Sequence, residues 1–140
     1  MIVLFSSSLG LMAAKSKRRQ IEYVDKLIYI GSRISLFMGS TMPETDEIIR
    51  ILKTDGRLTD FDFSFKRESC PLKYEDFLKA SEFFSSIGMF DADGQQRLAD
   101  EFTGYFKMLK KQYQDYYNNH YRLYIVCGLF SGILVSVLLI

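Results

Sequence analysis

Few side chains in this chain could do chemistry. His120 is the only histidine, and Cys70 and Cys127 are the only cysteines. His120 sits among Asn118, Asn119 and Tyr121 and reads as a solvated side chain. No serine or cysteine carries a recognisable base motif, so a nucleophile with its activating partner is not expected. Two cysteines and one histidine are too few for a closed structural zinc site. Asp91-Ala92-Asp93-Gly94 resembles the start of a calcium loop. Its glycine, however, comes two positions early, and Phe102 stands where a bidentate glutamate is needed. A helix cap is the simpler use of Asp91. No glycine-rich loop is built to cradle a phosphate. The expectation is a protein without catalytic residues, cofactor or metal, and not an enzyme.

The informative chemistry is the placement of charge. All 18 basic and 17 acidic side chains lie between Lys15 and Arg122. Residues 1–14 and 123–140 carry none. Charge is costly in hydrocarbon, so a charge-free apolar run is what a bilayer selects. Residues 123–140 reach about 27 Å as a helix, close to the thickness of a hydrocarbon core. Residues 1–14 reach roughly 21 Å, which is short of a full span unless Lys15 and Lys17 snorkel. A cleaved signal peptide fits less well, because the basic residues follow the apolar run instead of preceding it. A membrane helix and a looser surface anchor both remain open for this run.

Basic residues flank the charged segment at both ends: Lys15, Lys17, Arg18 and Arg19, then Lys107, Lys110, Lys111 and Arg122. By the positive-inside rule residues 15–122 stay in the cytosol. The near balance of charge leaves no electrostatic footprint for nucleic acid. The basic cluster at 15–19 reads as a topology signal in contact with anionic headgroups. Cys127 in a span and Cys70 in a polar loop are not expected to pair, which agrees with a reducing compartment. Tyr113, Tyr116, Tyr117, Tyr121 and Tyr124 approach the second run as an interfacial belt, with core packing the competing role for Tyr113 and Tyr116.

Four helical segments must position these groups. Ile21, Val24, Leu27, Ile28, Ile34 and Phe37 recur at helical spacing up to about Met38, and Gly39 marks the stop. Thr41 is the expected N-cap of the next helix, with Pro43 in its first turn and Glu44, Asp46 and Glu47 at its positive end. Phe61, Phe63 and Phe65 alternate with polar residues; a lone strand has no partner, so an extended loop pressing its phenylalanines on the helices is expected, with a short helix as the alternative. Pro71 opens a third helix to about Ile87, with Phe77, Leu78, Phe84 and Ile87 on its apolar face. Gly88 ends it in a positive-φ stop. Asp91 caps a last helix buried along Leu98, Phe102, Tyr105, Phe106, Leu109 and Tyr113, which nothing breaks before the C-terminal run. The chain therefore reads as all-α: a cytosolic helical bundle, 15–122, anchored by an N-terminal membrane helix, 1–14, and a transmembrane helix, 123–140.

Small residues recur every fourth position in both runs: Ser6, Gly10 and Ala14, then Gly128, Gly132 and Ser136. Such stripes let membrane helices approach closely, either each other or the spans of a partner, a second copy of the chain included.

Three stretches together resemble the stage III sporulation protein AB family of endospore-forming bacteria. They are the helix ending in Ser40-Thr41-Met42-Pro43-Glu44, the segment Ile87-Gly88-Met89-Phe90-Asp91-Ala92-Asp93-Gly94-Gln95, and the passage from Lys110-Lys111 through Tyr121-Arg122-Leu123-Tyr124 into Gly128 and a Leu/Ile-rich end. In order and spacing they cover most of the chain. Phe83-Phe84 stand where the family usually has a second Leu-Gly, and one proline stands where it often has two. The first apolar run is also shorter. The resemblance implies a non-catalytic platform subunit of a multi-protein channel between mother cell and forespore. That machine is similar to type II and type III secretion systems, and this subunit resembles the inner-membrane platform protein of type II secretion. It further implies a partner ATPase, other membrane subunits, the lipid bilayer and a place in the mother-cell membrane. A general type II secretion or pilus-assembly platform protein is the alternative, and gene neighbourhood separates the two. Partner contacts are expected at the helix-connecting turns, through Pro43, Glu44, Glu47, Asp91 and Gln95. The competing role for Gln95 is structural, bonding the backbone of Ser86 or Gly88 across its turn. A membrane-anchored enzyme or regulator would instead need a clustered polar pocket inside the bundle.

Overall fold

The computed structural model describes residues 2–40 and 44–140, with side chains at Met12 and from Lys15 onward. Four α-helices make up most of it: α1 (Ile2–Ser40), α2 (Thr45–Thr54), α3 (Tyr74–Ser86) and α4 (Ala92–Leu139). Among the described residues there is no strand. The turn at 41–43, including Thr41 and Pro43, and the side chains of Ser6, Gly10 and Ala14 lie outside the described residues.

Helices α1 and α4 run antiparallel along their shared length. Ser35 Oγ donates to Asp100 Oδ1 at 2.6 Å, the Lys110 ammonium pairs with Asp25, and the Lys17 ammonium sits 5.3 and 5.0 Å from the Tyr113 and Tyr116 ring centres. At the closest approach α1 carries Gly31. A Cβ there would lie 2.4 Å from Thr103 Oγ1 and 2.8 Å from Phe102 Cδ1, so only glycine admits this crossing. Helix α1 is longer than the periodicity from Gln20 suggests. The charge-free run and the amphipathic run form one helix, because residues 11–20 contain neither Pro nor Gly and are mostly good helix formers.

The core lies between this pair and the rest. Val24, Leu27, Ile30, Ile34 and Met38 of α1 meet Ala99, Phe102, Phe106, Leu109 and Tyr113 of α4. Ile48 and Leu52 of α2 and Ala80 and Phe83 of α3 join them. Phe83 stacks on Phe102 at 4.0 Å, and Phe102 meets Phe106 at 4.7 Å. Leu78, expected on the apolar face of α3, is exposed instead. Helix α3 starts at Tyr74, not at Pro71, and α2 starts after Glu44. The buried stripe of α3 runs through Asp76, Ala80 and Phe83, with Phe77 and Phe84 of the expected face partly buried against the core.

Residues 55–73 hold two single-turn 3₁₀ helices, Gly56–Leu58 and Arg67–Ser69, and otherwise extended or bent chain. The extended-loop expectation holds in substance. Phe61 is buried, Phe63 packs edge-on to it at 5.0 Å, and Phe65 stacks on Phe77 at 5.2 Å. Phe65 has φ 50°, unusual for a bulky residue, and this stacking with Phe77 offsets the backbone cost. Carboxylates fix the loop. Asp62 accepts from the Ser64 backbone and from the hydroxyls of Ser64 and Ser69. Asp55 accepts from the Tyr29 hydroxyl and the Arg57 backbone.

Those bonds favour the charged form. The Ser64 hydroxyl and backbone, then Ser69, hold the Asp62 pKa below its ordinary value; Tyr29, then the Arg57 amide, does the same for Asp55. A depressed carboxylate contributes order that is present above the unfolded value, near ~3.9, and lost as pH falls through the folded one. Titration followed by NMR is expected to give both carboxyls midpoints below that value, with amide protection at Ser64 and Arg57 lost in step. Asp62→Asn should remove the Ser64 part of the response, and an Asp62 midpoint at or above the ordinary value would contradict the assignment.

Candidate functional site

The turn expected at 43–47 and the turn expected at 91–95 converge at one end of the molecule. Glu44 is the N-terminal boundary residue of α2 and makes no side-chain cap bond; Asp46 and Glu47 follow in the first turn. Glu44, Asp46 and Glu47 are exposed. Across from them α3 ends, and Gly88 takes φ +86°, which leads the chain back into α4. The two turns touch there: a Cβ on Gly88 would lie 2.6 Å from Thr45 Oγ1. Asp91 caps α4, its carboxylate accepting from the Gly94 amide at 2.9 Å, as the helix-cap reading of the Asp-Ala-Asp-Gly run requires.

Gln95 is the hinge pin of this end. It is 1% exposed, and its Oε1 accepts from the Gly88 amide at 3.0 Å. That bond is the structural role expected from sequence, and it ties the start of α4 to the end of α3. Its Nε2 is buried without a partner among the described residues. Burial leaves Gln95 as a positioning residue, whereas Glu44, Glu47 and Asp91 present their carboxylates outward.

An open groove of about 460 Å³ runs between the turns, lined by Met38, Glu44, Thr45, Asp46, Gly88, Phe90, Ala92 and Gln95. Beside it Met89 and Phe90 project as an apolar pair, 76% and 56% exposed. Asp91 and Asp93 add to the carboxylates of the rim, while Arg50 sits 3.9 Å from Glu47. The ensemble is an acidic rim around two exposed apolar side chains. Sequence reasoning named Glu44, Glu47 and Asp91 of this rim as candidates and did not name Met89 and Phe90. The signal was available: two large apolar residues between a positive-φ glycine and a cap have no core to enter.

At the opposite end lies the charge-free run of α4. Every side chain from Tyr121 to Ile140 is exposed, and α4 is the one helix among the described residues long and apolar enough to cross a membrane. Gly128 and Gly132 face no described side chain within 4 Å. From Ala92 to Arg122 the helix is straight-through and about 46 Å long. Tyr113 is core, one of the two roles weighed for it, and Tyr116 is exposed.

Fold and site together define an all-helical protein with a terminal apolar helix of membrane-spanning length. No protein-family model matches the chain, and no characterised protein or solved structure is significantly similar to it.

Proposed function

We propose that this chain is a non-catalytic platform and coupling subunit of a secretion-like channel between mother cell and forespore. It sits in the cell membrane of an endospore-forming bacterium, with residues 15–122 cytosolic, and links a cytosolic ATPase to the other membrane subunits. One observation carries the reading. The acidic turn surface with Met89 and Phe90 and the charge-free run lie at opposite ends of one unbroken helix. A subunit that couples a soluble motor to membrane parts needs that separation, because its partner must dock clear of the bilayer. Exposed apolar side chains inside a charged rim are what a specific protein interface offers.

The test is titration of the full chain, in detergent, with the sporulation ATPase of the same organism. Saturable binding that changes with nucleotide is expected. Glu44→Lys combined with Glu47→Lys should weaken it about tenfold or more, chiefly through slower association at low salt. Glu68→Lys, in the loop far along the chain, is the control. Binding that survives the paired reversal would remove the turn surface from the interface. A folded chain that binds no ATPase would leave a passive scaffold held through its spans.

A further inference from the structure

Four cations follow one another at the base of the charged segment of α1: Lys15, Lys17, Arg18 and Arg19. With 3.6 residues per turn these side chains surround the helix instead of sharing a face. The antiparallel register that sets Asp25 beside Lys110 and Lys17 beside Tyr113 and Tyr116 brings the stretch from Asp115 to Arg122 to the same level of α4. There the rings come in pairs, Tyr116 on His120 at 3.8 Å and Tyr117 on Tyr121 at 5.8 Å.

These cations are not equally engaged. Lys17 is taken up by two tyrosine rings. Arg18 pairs with Glu22 at 3.2 Å, but the two side chains are 77% and 60% exposed, so the pair is weak. Among the described residues no carboxylate lies within ion-pair distance of Lys15, Arg19 or Arg122. The charge-free runs begin directly beyond Lys15 and Arg122. At the far end Glu44, Asp46, Glu47, Asp91 and Asp93 gather the opposite sign. A chain of almost no net charge is thus polarised along its length.

We infer that this basal collar is a binding site for anionic phospholipid headgroups. Lys15, Arg18, Arg19 and Arg122 take the phosphodiester oxygens, and Tyr116 and Tyr121 lie at the glycerol level beside them. The inference rests on the membrane placement proposed above. The acidic groups gather at the far end, several Debye lengths from the collar, so they do not weaken its attraction to an anionic surface. Each cation near such a surface contributes about fivefold in affinity, so the three without an ion-pair partner, Lys15, Arg19 and Arg122, are together expected to enrich anionic lipid by up to roughly a hundredfold.

The experiment reconstitutes the full chain into nanodiscs of phosphatidylcholine and phosphatidylglycerol and counts retained lipids of each kind by native mass spectrometry. Wild type should retain phosphatidylglycerol at least tenfold above its bulk fraction. The variant Lys15→Gln, Arg18→Gln, Arg19→Gln, Arg122→Gln should lose most of that enrichment while still inserting into pure phosphatidylcholine and keeping its helical circular dichroism. Equal retention of the two lipids by an inserted wild type, or undiminished enrichment in the variant, overturns the lipid site and leaves the membrane placement intact. A wild type that inserts into neither lipid overturns both. Inorganic phosphate at constant ionic strength should leave the enrichment unchanged; displacement by it would assign the collar to soluble phosphate and also overturn the proposal.

Discussion

Asp76→Leu is expected to lower the stability of the chain by about 3 kcal/mol, read as thermal or urea melting in detergent. Asp76 lies in the first turn of α3, where a carboxylate complements the positive end of the helix, yet it is only 6% exposed. Two hydroxyls from α4 make that burial tolerable. Tyr105 donates to Oδ1 at 2.6 Å and Tyr113 to Oδ2 at 3.2 Å. The bond to Asp76 pushes the Tyr105 hydroxyl up to about 12, so the donor keeps its proton at every ordinary pH. For Tyr113 burial is the larger cause of an upward shift, with the Asp76 charge second. Leucine would leave the Tyr113 hydroxyl buried without an acceptor, and α3 would lose its polar tie to α4. The matching variant Asp76→Leu, Tyr105→Phe, Tyr113→Phe should recover most of the loss, because removing both partners of a buried bond leaves nothing unsatisfied. If Asp76→Leu alone melts like wild type, the three groups contribute nothing as a set.

The second large effect is expected at Gly31. Gly31→Leu should cost about 3 kcal/mol, as an overpacked core position does. Its Cβ alone would stand inside contact distance of Thr103 Oγ1 and Phe102 Cδ1, so α1 and α4 must part or Phe102 must leave its stack on Phe83. Thr103→Ala should return only part of that loss, since the clash with the Phe102 ring remains. Gly104 is the internal comparison. It is also mid-helix, but a Cβ there meets nothing within 4 Å. Gly104→Ala should therefore stabilise α4 by up to about 1 kcal/mol through helix propensity alone. Equal responses at the two glycines would mean the α1–α4 crossing is not as close as the geometry requires.

Much of this was legible before the structure, and the reasons are local. Asp91 as a cap, Gly88 as a positive-φ stop and the Phe102–Phe106–Leu109–Tyr113 stripe each follow from rules that act within a few residues. The Gln95 bond to Gly88 was also within reach, since both groups belong to one turn. Two things were not. Asp76 was passed over because a carboxylate in a first helical turn looks solvated, and only the tertiary approach of Tyr105 and Tyr113 buries it. Gly31 drew no reading, because its use depends on Thr103, which lies far along the sequence. The convergence of Glu44 and Asp91 on one groove likewise needs the contact between Thr45 and Gly88. Chain-distant contacts of this kind leave no periodicity to read.

The unbroken run of both α1 and α4 from the core into their charge-free ends has a mechanical consequence. Two stiff rods clamped side by side, with the Phe83–Phe102–Phe106 stack on one flank, resist shear and torsion far better than one rod. Twist delivered at the Gly88–Gln95 turn has no flexible joint in α4 in which to dissipate. With α4 clamped to α1 it would be shared by the pair, and residues 123–140 would move with both helices as one body, carrying Gly128 and Gly132 toward new neighbours.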